Sequence, residues 1–133
     1  MTKAKVLLVG MHPDTVDYPA HPGLTREKLI SGLNNEIDSL NNLGYAARMH
    51  FIDGSPDSVT ELKTRLSDGD YDCVMIGAGV RTVDKHFLLF EELINLVHQN
   101  AVNSKICFNT GPTDSAAAVK RWVTLYNEKS LIL

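Results

Sequence analysis

The apolar positions of this chain fall into two alternating patterns. Lys5-Val6-Leu7-Leu8-Val9 is a short continuous apolar run that stops at Gly10. Asp72-Cys73-Val74-Met75-Ile76 is a second, stopping at Gly77-Ala78-Gly79, and Lys105-Ile106-Cys107-Phe108 a third, stopping at Asn109. Such runs predict strands buried on both faces of a parallel sheet. Tyr45 to Ile52 differs, because Arg48 and His50 share one face; this predicts a half-solvated edge strand.

Helical spacing fills the gaps between these runs. Leu29, Ile30, Leu33, Ile37 and Leu40 form one stripe, with Gly44 as its stop signal. Val59, Leu62 and Leu66 form a second, which the capping-box pattern Ser58-x-x-Glu61 opens and which is expected to end before Gly69. Leu89, Phe90, Leu93, Ile94 and Val97 form a third, with Asp84 or Thr82 as N-cap. Val119, Trp122, Val123 and Tyr126 form the fourth, opened by Thr113 or Asp114.

The resulting order is βαβαβαβα. Right-handed crossovers then put helices on both faces of a doubly wound parallel sheet. The edge character of the second strand selects the spatial order 2-1-3-4. The fold class is therefore α/β, with one domain over residues 1–133. In such sheets ligands sit beyond the carboxyl ends of the strands, where the strand order reverses.

The bulk numbers narrow the partners. Hydrophobic content of 44%, charged content of 22% and a net charge of −3 describe an ordinary globular protein. They argue against a general nucleic-acid or membrane-surface binder, which would cluster basic residues. No apolar run reaches the length of a membrane span. Met1 to Lys5 runs straight into a strand without the layout of a secretory signal. The two cysteines, Cys73 and Cys107, lie in apolar runs on strands that could be neighbours. Their simple reading is a pair of buried thiols in a reducing cytoplasm.

Candidate chemistry concentrates in three loops. The first, Gly10 to Leu24, is much longer than strand-to-helix connections usually are, and three prolines stiffen it. It carries His12, Asp14, Asp17 and His21. His12 falls just beyond the first strand, where an imidazole can act as general acid or base, and Asp14 or Asp17 could orient it. The second loop, Gly77-Ala78-Gly79-Val80-Arg81-Thr82, lets a ligand approach backbone N–H groups at a helix start, and Arg81 could clamp a carboxylate or phosphate. The third, Asn109-Thr110-Gly111-Pro112-Thr113-Asp114, offers Asn109 and Thr110 beside Gly79 and Arg81. The ligand-binding candidates are thus Gly10, Met11, Gly77, Gly79, Arg81, Asn109 and Thr110, and the catalytic candidates His12 and Asp14. A divalent metal held by His12, Asp14, His21 and His86 is the weaker option, since no two show a recognised ligand spacing. His50 and His98 read as surface residues.

The whole-chain layout resembles the flavodoxin-like superfold. Gly10-Met11-His12-Pro13-Asp14 is not a flavodoxin phosphate loop, and Met11-His12 and Gly77-Ala78 stand where a receiver domain needs its acidic residues. The chain also resembles small bacterial single-domain proteins that share a G-M-H-P-D start, a G-x-G-x-R centre and an F-N-T-x-P-x-D end. That likeness implies the fold and no particular activity or cofactor.

The expected function is a small-molecule enzyme or binding protein. Its ligand would be anionic, bearing phosphate or carboxylate, at the carboxyl ends of the strands, with proton transfer assisted by His12. The alternative is a non-catalytic interaction or regulatory module acting through a homodimer or partner interface. The apolar tail Leu131-Ile132-Leu133 and the two sheet edges motivate it.

Overall fold

The computed structural model describes residues 3–125. Tyr126 and the tail Leu131-Ile132-Leu133 lie outside the described residues. The strands are β1 (Lys5–Met11), β2 (Ala46–Ile52), β3 (Cys73–Ile76) and β4 (Lys105–Phe108). The helices are α1 (Arg26–Leu43), α2 (Pro56–Gly69), α3 (Ala78–Arg81), α4 (Phe87–Asn100) and α5 (Ser115–Lys120). All strands run parallel in the order β2-β1-β3-β4, as the sequence predicts.

Alternation along each strand divides the core between two layers. Leu7, Val9, Val74 and Ile76 point to one face and meet Leu62 and Leu66 of α2 and Leu93 and Val97 of α4. Val6, Leu8, Cys73, Met75 and Cys107 point to the other and meet Leu40 of α1 and Ala118 and Val119 of α5. Cys73 and Cys107 are free thiols whose sulfurs lie 3.4 Å apart in that second layer. Their hydrogen bond and their burial push the Cys73 thiol well up from its ordinary pKa. No helix among the described residues is long and apolar enough to cross a membrane.

Several local details differ from the sequence reading. α2 opens one turn early: Ser55 is its cap, accepting the Ser58 N–H at 3.2 Å, and Pro56 takes the first helical position. Its far end also shifts. Gly69 stays helical, with the Tyr71 ring where a Cβ would stand, and the left-handed residue is Asp70 at φ 51°. α1 ends as expected, with Gly44 left-handed at φ 112°.

Between β3 and α4 the chain inserts the four-residue α3 and a 3₁₀ turn, Asp84–His86. α4 therefore starts at Phe87 behind His86, and neither Thr82 nor Asp84 caps it. α5 ends at Lys120, so Trp122 is not on its apolar stripe and is 56% exposed. His50 is another correction. It is only 6% exposed, because the turn into α2 folds over the edge strand and brings the Ser58 carbonyl within 3.3 Å of Nε2. Burial lowers its pKa below the usual histidine value.

Candidate functional site

The candidate residues resolve into two groups above the sheet. The first stands beyond β1 and β2. β1 continues to Met11, so Gly10 and Met11 are strand residues paired with Phe51 and Ile52, and His12 is the first residue beyond the strand. The His12 N–H still donates to the Ile52 carbonyl at 2.8 Å. Its ring packs edge-on against Phe51, with centroids 5.4 Å apart. Nδ1 accepts the Asp14 N–H at 3.0 Å, so the neutral imidazole carries its proton on Nε2.

Asp14 has a stronger commitment than orienting this ring. Its Oδ1 accepts from Arg26 Nε at 2.6 Å, whereas its Oδ2 stands 3.6 Å from His12 Nδ1. The Arg26 hydrogen bond holds the Asp14 carboxyl below the usual range. Asp14 thus ties the long loop to the first turn of α1. The rest of the loop is self-supporting: Thr15 Oγ1 donates to the His12 carbonyl at 2.7 Å and Tyr18 Oη to the Pro13 carbonyl at 2.6 Å.

The second group stands beyond β3 and β4, and Asn109 organises it. The side-chain oxygen of this buried residue accepts the Ala78 N–H at 2.8 Å. Its Nδ2 donates to Ser115 Oγ at 3.0 Å, and its backbone carbonyl accepts from Arg81 Nη2 at 2.9 Å. The Arg81 guanidinium lies over the Phe108 ring, 5.9 Å from its centroid, a cation–π contact. Arg81 Nε is buried with no acceptor, and no acidic side chain pairs with Arg81 among the described residues.

Gly77 and Gly79 play smaller parts. Gly77 closes on β1, its N–H donating to the Val9 carbonyl at 2.9 Å. Thr110 is taken: its hydroxyl donates to Asp114 Oδ2 at 2.6 Å and its N–H to the same carboxylate at 3.0 Å. The Gly111 N–H joins them at 3.2 Å. The Thr110 hydroxyl, ahead of the backbone donors, holds the Asp114 carboxyl below its usual range.

Three further residues belong to this second group. Arg121 Nη2 donates to the Phe108 carbonyl at 3.0 Å, so two arginines hold successive carbonyls at the end of β4. Ser115 receives Asn109. Glu36 of α1 is only 8% exposed, with Oε1 lacking a partner. Burial raises its pKa, against the opposing hydrogen bond of the Ser115 hydroxyl. Glu36 had a sequence signal. It shares the helical face of Leu29, Leu33 and Leu40, where a carboxylate is out of place. Lys120-Arg121 after the Val119 stripe was a second such signal.

No three His, Cys, Asp or Glu side chains among the described residues gather as a metal site. His86 turns its Nδ1 toward the Gly79 carbonyl at 3.3 Å. Two concavities stand out elsewhere. One of about 470 Å³ lies beside β2, lined by His50, Thr60, Glu61, Thr64 and Arg65. One of about 200 Å³, which includes Tyr71 and Ser104, lies at the opposite end of the sheet from Asn109. No protein-family model matches the chain, and no curated protein matches it in sequence.

Proposed function

We propose that this chain binds a small anionic molecule, bearing a carboxylate or phosphate, beyond the carboxyl ends of β3 and β4, with Arg81 as the partner of the charge. The observation that supports this most is the unspent guanidinium. Arg81 is half-buried, gives one hydrogen bond to a neutral carbonyl, leaves Nε without an acceptor and has no carboxylate partner among the described residues. Orphaned buried donors are uncommon and costly in proteins. A side-chain rotation that set Nε and an Nη on one oxyanion would satisfy both in the bidentate geometry guanidinium favours. Arg121 adds to the positive potential at the same strand end.

The helix start is a weaker source of attraction than the sequence implied. α3 is four residues long, and its Ala78 N–H is already taken by Asn109. If the ligand is also transformed, the group suited to it is His12. Its Nδ1 is held by the Asp14 N–H, which leaves the Nε2 proton to move. Covalent catalysis finds little support here. The Thr110 hydroxyl is bound to Asp114, and Cys73 and Cys107 are buried in a core layer.

The test is calorimetric titration with acetate and inorganic phosphate, on the wild type, Arg81→Gln and Arg121→Gln. The expected result is binding that falls at least about tenfold in Arg81→Gln, the scale of one lost charge-assisted hydrogen bond. Equal affinity in wild type and Arg81→Gln would overturn the proposal. A chain that binds no anion and sediments as a dimer would fit the other reading, an interaction module.

A further inference from the structure

We infer that the ligand of this site carries an apolar body behind its charge, so that the site takes an alkyl or aryl carboxylate rather than a bare or sugar phosphate. The inference rests on the reading of Arg81 as the anion's partner and adds two observations to it.

The first concerns what surrounds the guanidinium. Arg81 lies on the Phe108 ring, and Phe108 meets Phe90 of α4 in a T-shaped contact with centroids 5.8 Å apart. Met11, at the end of β1, packs on the same face of the sheet. Phe87 precedes Phe90 by one helical turn and shares its stripe with Phe90 and Ile94, which sets it one turn before the Phe90–Phe108 contact, at the start of α4. Phe87 is 67% exposed and its neighbour Leu88 74% exposed. A first helical turn ordinarily carries a capping side chain and acidic residues. Here the turn reads Phe87-Leu88-Leu89-Phe90, with no side-chain cap and no acid. The charge thus sits at the rim of an aromatic surface, as an amphiphile requires.

The second observation concerns the count of donors. A phosphate group offers three strongly hydrated oxygens and is usually met by several backbone N–H groups together. In this turn the Ala78 N–H goes to Asn109 and the Val80 and Arg81 N–H groups go to the Gly77 carbonyl, which leaves the Gly79 N–H as the one backbone donor there rather than several together. One fork-shaped guanidinium meets two oxygens, which satisfies a whole carboxylate but leaves a phosphate with at least one oxygen still to be met.

The test is a titration series on the full chain with acetate, butyrate, hexanoate, octanoate, 3-phenylpropionate and inorganic phosphate, each below its micellar concentration. It is repeated on Phe87→Ser and Arg81→Gln. Phe87 is exposed, so its replacement leaves the core intact. Affinity is expected to rise about two- to fourfold per added methylene, a partial to full burial of each group. Hexanoate should bind more tightly than phosphate. Phe87→Ser should flatten the chain-length slope and leave acetate unchanged, while Arg81→Gln should weaken every acid. A flat slope, or phosphate as the tightest ligand, overturns the inference and leaves the anion reading standing. Binding of no anion, or long acids that ignore Arg81→Gln, overturns both. Phe87→Ser that converts a dimer to a monomer shows the aromatic surface covered by a second copy, and also overturns the inference.

Discussion

Asn109 lends its side-chain oxygen to the Ala78 N–H at 2.8 Å, and so fastens the end of β4 to the turn that follows β3. The same amide donates to Ser115 at 3.0 Å and starts α5 in place. A buried amide with three partners, counting Arg81 on its backbone, joins three elements through one residue. Asn109→Ala removes two of those bonds and strands a backbone donor. It should cost about 2–3 kcal/mol, within the range for unsatisfied buried groups. Urea denaturation would measure it, and a loss below about 0.5 kcal/mol, the level of a neutral surface change, would show that the amide is not the fastening.

Gly44 and Asp70 both end helices in the left-handed conformation, at φ 112° and 51°. The two positions should respond unequally to substitution. A Cβ at Gly44 has room, meeting Leu125 no closer than 3.7 Å, so the cost of Gly44→Ala is backbone strain. It should reach about 1–2 kcal/mol. Asp70→Gly relieves a smaller strain and loosens the unfolded chain, and these effects offset each other to within about 0.5 kcal/mol. Denaturation midpoints of the two variants check the contrast; equal losses would refute it.

Trp122, the chain's one tryptophan, gives a spectroscopic check on the end of α5. It is 56% exposed just past Lys120. Iodide should quench the native emission to an extent comparable with that of the unfolded chain. A blue-shifted emission protected from quencher would mean that the helix and its apolar stripe continue through Trp122.

The sheet was legible because its signals are physical and local. Val6 to Val9 and Cys73 to Ile76 are buried on both sides, so they read as uninterrupted apolar runs. Order followed from the edge character of β2. What failed to show were the details set by tertiary contact. His50 alternates like a solvated residue, yet the Ser55–Ser58 turn covers it. Thr110 looks like a free ligand group until Asp114 folds back on it. Asp14 stands beside His12 in sequence but pairs with Arg26, twelve residues on. Asn109 and Arg81 do meet, as neighbouring strands three and four require. No hydrogen bond among the described residues links them to His12.

Two buried titratable groups give the fold opposed responses to pH, and substitution can separate them. Burial raises the Glu36 pKa above 4.5, so above that pH the folded chain holds this proton longer than the unfolded chain does. Its contribution to stability is full below pH 4.5 and is lost as pH rises through the raised value. Burial lowers the His50 pKa below 6.5, so below that pH the unfolded chain takes up a proton first. Its contribution is full above pH 6.5 and is lost as pH falls through the lowered value. The low-lying carboxyls Asp114 and Asp53, the latter pulled down to about 2 by the Ser55 hydroxyl and N–H, act only in more acidic solution. Between the two ordinary values, 4.5 and 6.5, the two slopes therefore oppose each other in the wild type. Glu36→Gln should leave a stability that rises with pH across this window, His50→Gln one that falls, and the double variant a flat profile. Thermal unfolding of the four proteins at several pH values decides it. Parallel profiles for the wild type and both single variants would mean that neither group titrates differently in the folded chain.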